Sequence, residues 1–130
     1  MVSEKIHLRN AREKVLTLYD SVEKDRLSVV GDMAFKVAEE SVHAFESRED
    51  PYATHRRSGT FYLVKTRFRD DERKCFRRLH RIYERLGYGG SNGDLAQEAV
   101  SCMEKIVRRV EGELDVKILP DKLPEKKSMN

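Results

Sequence analysis

The sequence predicts an all-α protein, a single up-and-down bundle of four to five helices. Apolar residues recur at i, i+3, i+4 and i+7 through nearly the whole chain, the spacing of amphipathic helices. The one strand-like run, Phe61-Tyr62-Leu63-Val64, is short and has no hairpin turn beside it. The connections between periodic segments are also short, so consecutive helices are expected to lie antiparallel. At 130 residues the chain fits one domain, long enough to bury a core without disulfide or metal staples.

The first helix is expected from about Glu4 to Asp25, with Ile6, Ala11, Val15, Leu18 and Val22 on its apolar face. The second follows at once, from about Arg26 to Arg48, on the stripe Val30, Ala34, Val37, Ala38, Ser41 and Phe45. On that reading Lys36, Glu39, Glu40 and His43 point away from the core. Glu49-Asp50-Pro51 ends this helix, because proline disfavours helical backbone at the residue before it. A third helix is expected over Thr54 to Phe68. Asp70 or Asp71 then caps a fourth, whose apolar positions are Cys75, Leu79, Ile82 and Leu86. It stops at Gly87-Tyr88-Gly89-Gly90, where glycine tolerates positive φ. Asp94-Leu95-Ala96-Gln97 is a capping-box variant that opens the fifth helix, which runs to about Leu114. Residues 1–114 are thus the bundle, and residues 115–130 a charged, proline-containing tail, most of it expected to be mobile. Within the tail, Val116, Ile118 and Leu119 are apolar enough to dock on the bundle.

Composition narrows the function classes. The hydrophobic and charged fractions are both 38%, so the chain carries far more charge than an ordinary globular domain. No run of about 18 apolar residues exists, which excludes a helical membrane span. The first residues lack the apolar stretch of a secretory signal, so a cytoplasmic location is expected. Cys75 and Cys102 form no metal-binding spacing and fall on apolar stripes, where cysteine behaves as a small hydrophobe.

Charge is unevenly distributed. Residues 1–51 hold 8 basic and 11 acidic side chains, residues 52–85 hold 11 and 4, and residues 86–130 hold 7 and 8. The positive field is therefore central. In the fourth helix Arg73, Arg77, Arg81 and Arg85 recur every four residues, about 6 Å apart along the axis. Like charges at that spacing repel, and Glu84 is the one nearby acid. Such a row suits phosphate recognition, with Arg78, Arg56 and Arg57 adding to the same field. Pairing across the bundle with Glu39, Glu40 or Glu46 is the alternative.

The segment Gly31-Asp32-x-Ala34-x-x-x-Ala38-Glu39-Glu40-x-x-x-Ala44 resembles the small-residue second helix of the HEPN (higher eukaryote and prokaryote nucleotide-binding) superfamily. Pro51-Tyr52-Ala53-Thr54-His55-Arg56 resembles the loop leading into that family's third helix. Leu79-x-x-Ile82-Tyr83-x-Arg85-Leu86-x-Tyr88-Gly89 resembles its fourth. The resemblance covers residues 4–114 and implies a HEPN-like bundle that forms a homodimer. It further implies binding of RNA or nucleotide, metal-independent RNA cleavage, or partnership with a small nucleotidyltransferase in a toxin–antitoxin pair. Carried onto this chain, the catalytic candidates are Arg81, Arg85, Tyr88 and His80. Arg81 and Tyr88 match the spacing of the family's Arg-to-His signature, with tyrosine in the histidine's place. Ile82 or Leu86 follows the arginine where the family has a polar residue. Tyrosine, with a pKa near 10, is a poorer proton acceptor at neutral pH than histidine. The competing reading is a non-catalytic helical interaction protein.

No cofactor is expected, and no GxSxG, P-loop or GxGxxG motif is present. Glu4-x-x-His7 and Glu40-x-x-His43 each match the Glu-x-x-His pattern of di-iron bundles. That site needs two further glutamates converging on the core. With Glu40 and His43 off the apolar stripe, ordinary surface pairing is expected and no metal site is predicted. His55 is expected to cap or pack the bundle.

Overall fold

The computed structural model describes residues 3–88 and 93–120, with the side chains of 86–88 outside the description. Among the described residues there are five α-helices and no strand: α1 (Glu4–Glu23), α2 (Leu27–Glu49), α3 (Arg57–Arg67), α4 (Asp70–Tyr88) and α5 (Gly93–Leu114). None is long and apolar enough to cross a membrane.

Helix α1 starts at Ser3, whose hydroxyl accepts from the Ile6 amide as an N-cap. Ala11, Val15, Leu18 and Val22 of its stripe are fully buried, whereas Ile6, expected on the same face, is exposed in the first turn. A three-residue turn, with Asp25 in the left-handed region at φ 54°, folds α2 back against it. Arg48 near the end of α2 accordingly meets Glu4 at the start of α1, at 2.6 Å.

Helix α2 is central and packs against all four others. Its small residues Gly31, Ala34, Ala38 and Ala44 are buried and let several helices approach at once. Because it is enclosed on several sides, α2 also buries Ser41, Glu46 and Ser47. Lys36, Glu39, Glu40 and His43, expected to point away from the core, are half-buried rather than fully exposed, which corrects that expectation.

The connection from α2 to α3 doubles back. Arg57 pairs with Glu39, Thr60 with Glu46 and Arg67 with Glu49, so α3 runs alongside α2 in the same sense. Antiparallel neighbours hold for α1–α2, α3–α4 and α4–α5, but not for α2–α3. This returning loop, with His55 at φ 55°, delays α3 until Arg57 rather than Thr54.

Helix α4 begins at Asp70, so Asp70 and Asp71 lie inside its first turn instead of capping it. Their charge suits the positive end of the helix dipole. The capping bond is made by Glu72, whose Oε1 accepts from the Arg69 amide at 2.9 Å. Asp94 likewise lies within α5, which starts one residue earlier. Beyond α5, Ile118 and Leu119 are buried. Their amides both donate to Glu111 Oε2, and Arg12 Nε donates to the Lys117 carbonyl. The docked portion of the tail thus extends the core, while residues 121–130 lie outside the described residues.

Candidate functional site

Two constellations stand out. The first is the basic face of α4. An i, i+4 row drifts about 40° per step around a helix of 3.6 residues per turn, so the four arginines meet different neighbours. Arg73 leans toward α3, donating to the Lys65 carbonyl at 2.9 Å and pairing with Asp70. Arg77, Arg81 and Arg85 are exposed and have no ion-pair partner among the described residues. Arg78 turns to α5 and grips both oxygens of Glu98, at 2.6 and 3.1 Å.

Beside this row lies an open groove of about 400 Å³ between α4 and α5, bordered by Lys74, Arg77, Arg78 and Arg81 and by the acidic Glu98, with Cys75 and Cys102 also lining it. Burial, then the hydrogen bond and charge of Cys75, push the Cys102 thiol up, so it stays protonated and unreactive at neutral pH.

The remaining basic candidates separate. Arg57 is structural: it pairs with Glu39 and lays its guanidinium over Phe35, 5.1 Å from the ring centroid, and over Tyr83. Arg56 is exposed at the start of α3. His80 does not converge with Arg81. Its ring packs among Phe35, Phe61 and Tyr83, and its Nδ1 meets Glu84 Oε1 at 3.2 Å. The groove bordered by Arg81 lies on the α5 side instead. The Tyr88 side chain lies outside the described residues, so Arg81 and Arg85 are the catalytic candidates with a described place on this surface.

The Arg78–Glu98 clamp carries a pH prediction. The bond from Arg78 holds the Glu98 carboxyl below its ordinary range. A carboxylate whose pKa is lowered by folding adds stability above its unfolded pKa, and that stability is lost as pH falls. The pair is partly exposed, so its worth is at most about 1 kcal/mol. Glu98→Gln is expected to lose that amount at pH 7 and to match the native chain once pH falls well below about 4, as read by urea unfolding at both pH values.

The second constellation was missed by sequence reasoning. His7 from α1, His43 from α2 and His55 from the returning loop meet ring to ring. Their centroids lie 5.2 Å apart for His7–His43, 4.5 Å for His7–His55 and 4.7 Å for His43–His55. One ligating nitrogen from each lies within 4.8 Å of the others. His7 donates through Nδ1 to Glu40 Oε2 at 2.7 Å, and its side chain is only 7% exposed. His55 shares a hydrogen bond between Nε2 and the Ser47 hydroxyl at 3.1 Å. Its Nδ1 lies 3.8 Å from Glu46 Oε2, beyond hydrogen-bond reach. Glu46 is itself held through Oε1 by the Thr60 hydroxyl at 2.6 Å.

Three buried nitrogens, His7 Nε2, His43 Nε2 and His55 Nδ1, have no hydrogen-bond partner among the described residues. Each such orphan costs about 1–3 kcal/mol. Burial, then the His55 and His7 rings, lowers the His43 pKa to about 3, so that ring is neutral. The sequence signal was slight: the two Glu-x-x-His spacings did mark His7, Glu40 and His43.

No protein-family model, curated protein or solved structure matches the chain.

Proposed function

We propose that this helical bundle is an RNA-binding domain of HEPN-like type, with α4 as its contact surface. The observation that carries this reading is the run of Arg77, Arg81 and Arg85. Three exposed guanidiniums lie on successive turns without ion-pair partners among the described residues, beside a groove bordered by Lys74 and Arg78. Unanswered like charges at this spacing work against helix stability, and a phosphate backbone supplies the missing countercharge. The local excess of 11 basic over 4 acidic residues in 52–85 attracts such a polyanion from a distance. The resemblance to HEPN domains favours RNA, and extends the proposal to a homodimer and to a nucleotidyltransferase partner.

The test is fluorescence anisotropy with single-stranded RNA over a range of salt. Counterion release predicts that affinity falls steeply with salt, with a slope of about 0.7 per phosphate contact. Replacing Arg77, Arg81 and Arg85 together by alanine is expected to lower that slope by about 2, one contact per arginine. A slope unchanged by the triple replacement would sink the assignment of the surface. Incubating RNA with the protein in EDTA then separates the two forms of the reading. Cleavage lost on Arg81→Ala and Arg85→Ala identifies a metal-independent ribonuclease, and binding without cleavage identifies a binding module.

A second reading, a non-catalytic interaction protein, is favoured by the internal use of part of the basic set. Arg57, Arg73 and Arg78 are committed to Glu39, to the Lys65 carbonyl and to Glu98. It predicts no salt-dependent RNA binding.

A further inference from the structure

We infer that His7, His43 and His55 form a binding site for a divalent transition-metal ion, with zinc the expected occupant. The site is distinct from the basic face of α4 and does not depend on the RNA-binding reading.

Three features of the cluster converge. The ligands come from three separate segments, and one nitrogen of each lies within 4.8 Å of the others. Tetrahedral zinc with bonds of 2.0–2.1 Å needs its nitrogens about 3.3 Å apart, so small side-chain rotations close the set. Each ring also keeps one buried nitrogen that nothing among the described residues satisfies: Nε2 of His7, Nε2 of His43 and Nδ1 of His55. A cation answers these three facing nitrogens, which an apolar side chain could not do.

The partners of the other nitrogens fit as well. The Glu40 carboxylate accepts from His7 Nδ1–H at 2.7 Å, which fixes the tautomer with the Nε2 lone pair free for the metal. This carboxylate–histidine arrangement orients metal ligands and raises their basicity. The Ser47 hydroxyl is able to accept Nε2–H from His55, and in that tautomer Nδ1 is the ligating atom. Glu40 and Glu46 together balance the two positive charges of the ion. Glu46 Oε2, 3.8 Å from His55 Nδ1, also stands near the fourth position, which a water otherwise fills. Imidazole donors suit zinc, copper, nickel or iron better than magnesium or calcium.

The experiment is titration of the metal-stripped, tag-free full chain with zinc in competition with a chromophoric chelator. Cobalt(II) absorption serves as a second readout of four-coordinate geometry. One equivalent of zinc is expected to bind, with the intense visible bands of tetrahedral cobalt. His43→Phe keeps a ring stacked on His55, and His55→Asn keeps a residue tolerant of the left-handed backbone. Each is expected to weaken zinc binding at least 100-fold while far-ultraviolet circular dichroism stays native. Glu40→Gln is expected to weaken it about 10- to 100-fold. His80→Ala, the histidine outside the cluster, should leave zinc affinity as it was. If the folded native chain takes up no stoichiometric zinc, or if His43→Phe and His55→Asn bind it as tightly as the native chain, the site is overturned.

Discussion

Phe35→Ala is expected to cost about 3–5 kcal/mol of folding free energy, the range for an aromatic side chain removed from a closed core. Phe35 is fully buried on α2 and touches three rings of α4: Phe76, His80 and Tyr83, with centroids 5.8, 5.2 and 5.1 Å away. Arg57 at the start of α3 covers its face. One side chain therefore ties α2, α3 and α4 together. The neighbours on α4 belong to a helix that is also held by α5, so they cannot simply collapse into the space. Urea unfolding reads the loss directly, and Phe35→Leu should recover a large part of it. A loss below about 1 kcal/mol would show that α3 and α4 repack around the gap, and that Phe35 does not set their docking.

The helical periods were readable because each apolar stripe repeats within one segment. Leu18, Val22, Leu79 and Ile82 were all marked by spacing alone, and all are buried. Even the docking of Ile118 and Leu119 followed from their apolar character. Chain direction was harder to read. The loop from Asp50 to Arg56 is short, and a short loop suggests reversal, but the pairs Arg57–Glu39 and Arg67–Glu49 show a return to the top of α2. That return brings His55 beside His43, twelve positions earlier, and His7, thirty-six positions earlier still. No local pattern encodes such a meeting. The polar side of α2 misled for a related reason: a helix surrounded on several sides has little solvent face to read, so Lys36, Glu39, Glu40 and His43 are half-buried where periodicity alone pointed them outward. For α4, spacing put four arginines on one side, yet the 40° drift per step assigns Arg73 to α3 and leaves Arg77, Arg81 and Arg85 open.

Glu72→Ala is the second substitution expected to be severe, at about 3 kcal/mol. Glu72 is a carboxylate with 1% exposure, and its position three residues into α4 gives it several partners. Oε1 accepts from the Arg69 amide and from Arg109 Nη1, while Oε2 meets the Arg69 guanidinium. Removing it leaves the Arg69 amide, just before the first turn of α4, without its acceptor. It also leaves Arg109, whose Nε is already a buried orphan, with less countercharge in a poorly solvated position. The loss falls at the low end of the range for a broken buried pair because Arg69 is largely exposed and Arg109 retains Glu113. Glu72→Gln keeps an acceptor for the Arg69 amide and should be milder. A double-mutant cycle with Arg109→Ala isolates the pair, and a coupling of about 1 kcal/mol or more is expected. Additive losses would show that the cap, and not the ion pair, carries the effect. Arg77, Arg81 and Arg85 lie one to four turns further along α4, on a helix still docked through Phe76, Leu79 and Ile82. RNA affinity measured well below the unfolding transition should therefore remain native in Glu72→Ala, separating the stability of α4 from the charge it displays.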